Sequence, residues 1–330
     1  MAAVDGERNV EAVEYDHFGG PEVLALRKCA APRPGRGQVL VAVKATALNP
    51  KDLVVQSGRR PHRWIVGSRF PKRLGYDWAG QVVRVGRGVD GLAEGDALFG
   101  MIESWHGGAC ATQILANRSE FAHMPHSLSW QQAAAVPLAA QTALQGLRDF
   151  ARARPGQRIL INGASGGVGT FAVQIAKIMQ CQVTAVTSGA NAHWVRALGA
   201  DAVIDYQTTA LRAAGGHYDA FFDVFGNRSF SEIQPLLARR GRFVSTVPKL
   251  HVVRDAIFTR VSAQSASLVR VHSSADDLRT LAGWIDEGQL RVMVDRTFPL
   301  HAIADAQRYL GTRHARGKVV IVMPEGAAGH

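Results

Sequence analysis

Up to about residue 125 the apolar positions come in short runs, such as Val39 to Ala45 and Gln81 to Val85, separated by turn-forming residues. Gly75, Gly80, Gly86, Gly88, Gly91 and Gly95 mark turns or bulges between such runs. This texture predicts a partly closed β-barrel. After Pro125 the period changes, and Trp130 to Phe150 sets Ala, Leu and Gln at helical spacing until Pro155 and Gly156 end it. From Arg158 apolar strands alternate with helices. Strands are expected at Ile159 to Asn162, Val183 to Thr187, Ala202 to Tyr206, Tyr218 to Val224, Arg242 to Val247 and Leu268 to Val271. Helices are expected at Val168 to Met179 and His193 to Leu198. Such alternation builds βαβ units and a parallel sheet buried on both faces. Beyond residue 272 a helix from Asp276 to Glu287 precedes strand-like Val292 to Phe298, and Gly317 to Met323 forms a last strand. The expectation is an α/β protein: a barrel segment 1–125, a parallel-sheet domain 126–271, and a segment 272–330 that returns to complete the barrel domain.

Composition narrows the class. A chain of 330 residues has room for two compact domains, and its 47% hydrophobic and 20% charged content excludes a disordered protein. The three cysteines, Cys29, Cys110 and Cys181, lack short spacings, which argues against a disulfide framework or a cysteine-rich zinc site and for a reducing compartment. No stretch approaches the roughly 18 uninterrupted apolar residues of a membrane span. Met1 to Val10 carries Asp5 and Glu7 and no apolar signal core. A soluble, cytoplasmic protein without membrane insertion is expected. The net charge of +11 is spread among scattered arginines, with short clusters at Arg59-Arg60 and Arg239-Arg240 and no recognisable nucleic-acid module. No nucleic-acid partner is expected, and part of the charge is available to an anionic cofactor.

The most specific local signal is Gly163-Ala164-Ser165-Gly166-Gly167-Val168-Gly169, which follows a strand and opens a helix. That context identifies a dinucleotide-binding turn. Gly166 lets the backbone approach a pyrophosphate, Gly169 lets helix and strand pack closely, and the helix N-terminus offers N–H groups to the phosphates. Ala164 stands where the fingerprint has its first glycine. The end of the second strand reads Thr187-Ser188-Gly189, without the acid that bonds the ribose 2′-OH of NAD. NADPH is therefore favoured over NADH, with Arg196 and Tyr206 as distant helpers. Ala190 and Asn191 supply no cation.

With these residues in place, the chain resembles the medium-chain dehydrogenase/reductase superfamily over nearly its whole length. Ala47-Leu48-Asn49-Pro50-Lys51-Asp52 resembles its Asn-Pro-x-Asp motif, Gly75-Tyr76-Asp77-Trp78-Ala79-Gly80 its Gly-x-Asp/Glu-x-x-Gly motif, and Gly95-Asp96 its barrel turn. Pro137 to Ala143, and Leu198-Gly199-Ala200-Asp201 followed by Val203-Ile204-Asp205-Tyr206, are also similar. The ending His314-Ala315-Arg316-Gly317-Lys318 resembles a quinone oxidoreductase subgroup with mitochondrial and chloroplast-envelope members. The resemblance implies a Rossmann-type parallel-sheet domain beside a GroES-like barrel catalytic domain. Zinc enzymes of the superfamily carry Cys where Asn49 stands, His-Glu where Tyr76-Asp77 stand, and a third ligand near Leu138. That set cannot hold zinc here, and no zinc is expected. Without a Lewis acid, conjugated carbonyls are the accessible substrates, because hydride adds at the β-carbon while charge spreads to oxygen.

The resemblance also assigns residues. Ser165, Gly167 and Val168, with Gly166, would hold the pyrophosphate, and Ser188 and Tyr206 would face the adenosine ribose-phosphate. Val224, Phe225 and Val247 would lie along the nicotinamide half, Asn49 near its ribose, and Thr142 behind the ring. His314, Ala315 and Arg316 would reach back from the C-terminal segment, with Lys318 close by. Asn49 and Tyr76 are the expected catalytic residues. Asn49-Pro50 also fits a plain barrel turn, Tyr206 ordinary packing, and His314 and Arg316 a solvated pair. Relatives place a tyrosine shortly after the glycine equivalent to Gly58, where this chain has Arg59-Arg60-Pro61-His62. The proton donor thus stays open among Tyr76, Lys51, His62 and water.

The expected function is NADPH-dependent reduction of an enone, alkenal or quinone by a homodimer joined through the edge strand near Leu268 to Val271. Two alternatives remain. One is an enoyl-thioester or biosynthetic tailoring reductase, whose carrier would meet a basic surface of Arg59, Arg60, Arg63, Arg69, Lys72 and Arg73. The other is a non-catalytic NADPH-binding protein.

Overall fold

A computed structural model describes residues 9–60 and 62–324. The chain forms two units: Met1–Leu138 with Ser273–Asp286 and Val292–His330, and Ala139–His272 with Glu287–Arg291.

The first unit begins with β1 (Asn9–Tyr15), β2 (Ala25–Ala30) and β3 (Gln38–Leu48). Residues 39–43 and 45–48 of β3 are buried, as suits the central strand of a curled sheet. Asn49 then stops the strand and starts a helix, α1 (Pro50–Gln56). Proline at the first helical position needs no N–H partner, and the Asp52 carboxylate accepts the Asn49 N–H at 2.7 Å, half of a capping box. The plain-turn reading of Asn49-Pro50 is thereby corrected. Next come α2 (His62–Val66), β4 (Lys72–Arg73), β5 (Asp77–Val85), β6 (Ala97–Met101), β7 (Gln113–Asn117), β8 (Phe121–His123) and α3 (Trp130–Ala134). The helical stretch expected from Trp130 to Phe150 breaks after Ala134. It resumes as α4 (Pro137–Gln145), inside which the unit boundary falls, and ends as a π-helical turn, Gly146–Ala151.

The second unit contains β9 (Arg158–Asn162), α5 (Gly167–Ile178), β10 (Gln182–Thr187), α6 (Gly189–Ala197), β11 (Ala202–Asp205), β12 (Tyr218–Asp223), α7 (Phe230–Ile233), β13 (Leu237–Ser245), α8 (Leu250–Phe258) and β14 (Ser265–Leu268). Its six strands run parallel in the order β11-β10-β9-β12-β13-β14. Leu160, Val186, Phe221 and Phe243 lie in its core. The sixth strand sits three residues before the expected Leu268 to Val271. Pairing with β13 runs from Arg242↔Ser265 to Ser245↔Leu268, and β13 ends there, so Arg270 and Val271 have no strand to pair with.

The chain then forms α9 (Ala275–Asp286), β15 (Val294–Pro299), α10 (Ile303–Gly311) and β16 (Lys318–Val322). β16 pairs with β3, from Val319↔Leu48 to Val322↔Ala45, which completes a seven-stranded sheet. β1, β2 and β4 make a three-stranded sheet. Both sheets of this unit share one core, in which Val10 and Val13 meet Val41, Trp78, Leu98 and Ile321.

Candidate active site

In the second unit the strand order reverses between β9 and β12, so a crevice opens at the carboxyl ends of these strands. The glycine turn lies there. Gly163 has φ +83°, a left-handed conformation that bends the chain sharply out of β9. The two later glycines serve different ends. A Cβ on Gly169 would lie 2.1 Å from the Gly163 carbonyl oxygen, so the residue is needed for close packing of helix against turn. A Cβ on Gly166 would meet nothing nearer than 3.5 Å, so the space above it is open. Gly166 caps α5 without a side-chain bond, and the first N–H groups of the helix have no acceptor within it. Such a turn can cradle a pyrophosphate.

Neighbouring side chains fix this turn in place. Ser165 Oγ accepts from Thr187 Oγ1 at 2.9 Å and from Asn191 Nδ2 at 3.3 Å, tying the turn to the end of β10 and the first turn of α6. Ser188 is the N-terminal flank of α6, and the Tyr206 N–H bonds the Thr187 carbonyl at 3.2 Å with its ring exposed. On the other side, Asp223 is fully buried and accepts from Asn162 Nδ2 at 2.8 Å and from the Gly226 N–H at 2.9 Å. These bonds hold Val224 and Phe225. A Cβ on Gly163 would meet Phe225, and one on Gly226 would meet Val247 at 2.5 Å. Hence Ser165 to Val168, Ser188, Tyr206, Val224, Phe225 and Val247 gather along one edge of the sheet. Thr142 is buried in α4. Asp223 and Asn162 carry no motif in the sequence, and Thr187 and Asn191 stand out there only for lacking charge, not as partners of Ser165. The Asp205 carboxylate lies 2.5 Å from a Cβ built on Gly189 and brings negative charge beside Ser188.

The first unit holds a second polar cluster. Lys318, 4% exposed, donates to Asn49 Oδ1 at 2.5 Å and to Asp77 Oδ2 at 3.0 Å. Asn49 Nδ2 donates to the same Asp77 oxygen at 3.0 Å and to the Ala47 carbonyl at 3.2 Å. Asp77 Oδ1 takes the Leu138 N–H at 2.7 Å. Tyr76 is buried, and its hydroxyl donates to the Trp105 carbonyl at 2.9 Å. Burial, aided by the Asp52 carboxylate, holds that hydroxyl well above the usual tyrosine range. Both residues expected to be catalytic thus have their donors committed to protein acceptors. Lys318, expected beside the cofactor, spends its charge inside this cluster. His314, Ala315 and Arg316 lie in the loop before β16, with His314 and Arg316 exposed. The expected basic surface is corrected at Lys72, which is buried with its ammonium on the Val66 carbonyl at 2.7 Å.

A parallel sheet with an open glycine turn at its switch point defines a dinucleotide-binding protein of the Rossmann class. The family model described as an alcohol dehydrogenase GroES-like domain matches residues 35–143, and that described as a zinc-binding dehydrogenase matches residues 198–321. The chloroplastic quinone-oxidoreductase QR1 of Triphysaria versicolor is 33% identical, over 94% of this chain and 98% of that protein. The chloroplastic NADPH-dependent alkenal/one oxidoreductase of Arabidopsis thaliana is 32% identical, over 95% of this chain and 80% of that protein. The solved quinone oxidoreductase from Coxiella burnetii superposes with a TM-score of 0.89 at 30% identity, covering 96% of this chain and all of that one. The chain belongs to the medium-chain dehydrogenase/reductase family, in its quinone oxidoreductase branch, and is an oxidoreductase.

The zinc named in one matched family does not fit these residues. Asn49 Oδ1 and Asp77 Oδ2 already face the Lys318 ammonium, Leu138 offers only its N–H, and the Tyr76 hydroxyl is turned to Trp105. A side-chain cation holds the ligand atoms a metal would need. Among the described residues no group of three His, Cys, Asp or Glu side chains is arranged to bind a metal. Among those residues, too, no helix is long and apolar enough to cross a membrane.

Proposed function

We propose that this oxidoreductase uses NADPH, without zinc, to reduce the conjugated C=C bond of an enone or alkenal, or a quinone. The observation that carries the reading is the glycine turn, whose N–H groups stand open at the switch point of the sheet. The alkenal/one reductase among the relatives supports the substrate class and the cofactor. The bound nicotinamide supplies hydride. Ser165, Gly166, Gly167 and Val168 hold the pyrophosphate, Ser188 and Tyr206 flank the adenosine ribose-phosphate, and Thr142, Val224, Phe225 and Val247 line the nicotinamide half. Asn49, with His314, Ala315 and Arg316, completes the cofactor contacts, and Lys318 acts through Asn49 by fixing its amide. Tyr76 walls the reacting end. In this reading residues 126–271 form the NADP-binding domain, and residues 1–125 with 272–330 form the catalytic domain.

We place the protein in the cytoplasm as a homodimer, on its three unpaired cysteines and the free edge of β14. A monomeric mass in light scattering would reject the dimer. The function is tested by following NADPH consumption with small quinones, enones and alkenals against crotonyl thioesters. Turnover of the first group is expected. Turnover of thioesters alone would move the assignment to an enoyl-thioester reductase, and NADPH binding with no turnover would leave a non-catalytic binding protein. Activity should survive dialysis against a strong chelator; loss that zinc restores would overturn the metal-free reading.

A further inference from the structure

Side chains from α1, from α2, from just before β5 and from the loop after β6 form one cluster in the first unit. Lys51, in the first turn of α1, holds its ammonium 3.7 Å from the ring centroid of Tyr76 and 4.5 Å from that of Trp105. Tyr76 immediately precedes β5, and Trp105 lies in the loop after β6. His62, the first residue of α2, sets its ring 5.8 Å from the Trp105 ring. An ammonium has three N–H donors and is strongly hydrated in water. Among the described residues Lys51 has no hydrogen-bond or ion-pair acceptor. The nearby carboxylates face elsewhere: Asp52 takes the N–H groups of Asn49 and Gly75, Asp77 takes Asn49, Leu138 and Lys318, and Glu103 takes the Ser273 N–H. His62 Nδ1 is buried without a partner. Two ring faces hold the cation while consuming none of its donors. Buried polar groups in a native fold are almost always bonded, so the unmet His62 nitrogen beside a half-buried ammonium with three unspent donors marks a place for a ligand acceptor.

We infer that Lys51 is the acid of this reductase, donating first a hydrogen bond and then a proton to the substrate's carbonyl oxygen. The inference rests on the reductase reading above. The β-carbon accepts a hydride, which carries two electrons, and the C=C pair shifts to make an enolate. A Lys51 N–H bond breaks as the enolate O–H bond forms, and the enol relaxes to the saturated carbonyl by exchange with water. With a quinone the same two transfers give the hydroquinone. Lys51 is left as a neutral amine and recovers its proton from solvent. Burial holds its ammonium below the ordinary lysine range, against the pull of Asp52, Glu103 and Asp77, which makes it a better acid. His62 is held down by burial and by the Lys51 charge, and Tyr76 is held up, so neither replaces it as the proton source near neutral pH.

The test compares wild type, Lys51→Met and Lys51→Arg in the full chain, with NADPH affinity and melting temperature as checks of folding. Lys51→Met should keep NADPH affinity and lose about 100-fold in kcat. Lys51→Arg should hold KM near wild type without restoring kcat, because a guanidinium keeps its proton. Wild-type kcat should fall as pH rises through the Lys51 pKa, and this limb should vanish in both variants. Competitive acetylation read by mass spectrometry should give Lys51 a midpoint that matches the limb. Retention of kcat within about threefold, or an unchanged alkaline limb in either variant, would overturn the assignment. If Lys51→Met does not fold, Lys51→Arg decides. Failure of wild type on every quinone, enone and alkenal would instead remove the reductase reading, and this inference with it.

Discussion

The glycine turn after β9 and the Asn49–Asp77–Lys318 cluster both concentrate polar groups, but they dispose of them in opposite ways. The turn leaves the first N–H groups of α5 without acceptors and keeps open space above Gly166. In the cluster both Asp77 carboxylate oxygens are occupied, Asn49 accepts from Lys318 and donates twice, and the ion pair is buried. Open donors at a sheet's carboxyl edge call for a ligand, whereas a closed charge pair sets the position of its own members. Membership in a motif does not separate the two cases, since Asn49 and Asp77 stand in family motifs as well. The account of donors and acceptors does.

The largest effect is expected from opening the closed cluster. Lys318→Met leaves the Asp77 carboxylate buried beside Asn49 without its cation, which should cost about 3–5 kcal/mol of unfolding free energy. Adding Asp77→Asn should recover part of that loss. Urea unfolding of the single and double variants checks both statements, and a loss under about 1 kcal/mol would mean that the pair is solvated rather than closed.

A second carboxylate sharpens the contrast, because it is equally buried but has no cation bonded to it. Asp52 is 1% exposed, accepts backbone N–H groups from Asn49 and Gly75, and is pushed up to about 6, chiefly by burial. Its folded pKa therefore exceeds the unfolded value, and the folded state binds the extra proton between about pH 4 and pH 6. Stability from this group falls as pH rises through that window, by up to about 3 kcal/mol, and the cost is fully present above it. Unfolding free energies of wild type minus Asp52→Asn should carry this downward slope; a flat difference would contradict it.

On the open side, Gly169→Ala puts a Cβ against the Gly163 carbonyl oxygen. Relief requires the backbone to shift, at about 1–3 kcal/mol for an overpacked site, and NADPH affinity should drop roughly tenfold by fluorescence titration. Gly166→Ala, with open space above it, should spare stability and weaken binding alone.

The second unit was readable because its signals are local: β9, α5, β10 and β12 follow from short apolar runs, and the glycine turn from strand and helix on either side. The first unit was less so. Asn49-Pro50-Lys51-Asp52 contains the signs of a helix start, a cap residue, proline at the first position and an acid two residues on, yet α1 was missed beneath the family motif. The role of Lys318 was out of reach, since its partners lie 269 and 241 positions away in sequence. β14 lies three residues earlier than expected because its ends are set by register with β13, which stops at Ser245, so apolar Val269 and Val271 fall beyond the last register pair. Lys51 and His62 appeared only as candidates; the unmet donors that separate them from Tyr76 belong to the packed fold.

The smallest expected effect concerns the choice between the two dinucleotides at the margin of the open site. Ser188 flanks the first turn of α6, where an acid would bond a ribose hydroxyl and repel a 2′-phosphate. The neighbourhood is not purely favourable to phosphate, because the Asp205 carboxylate lies close to Gly189. Opposite signs at two adjacent positions give a paired test. Ser188→Asp adds a like charge beside the phosphate. At this exposed margin the repulsion amounts to about 1 kcal/mol or somewhat more, so NADPH should bind roughly five- to tenfold more weakly and NADH gain in relative terms. Asp205→Asn removes a charge and should tighten NADPH by a smaller factor, about two- to threefold, with the gain fading as salt screens the field. Titrations of both cofactors at low and moderate ionic strength read the two shifts together. Wild type preferring NADH, or both variants moving NADPH affinity in one direction, would show that the 2′-phosphate is not held at the Ser188 edge.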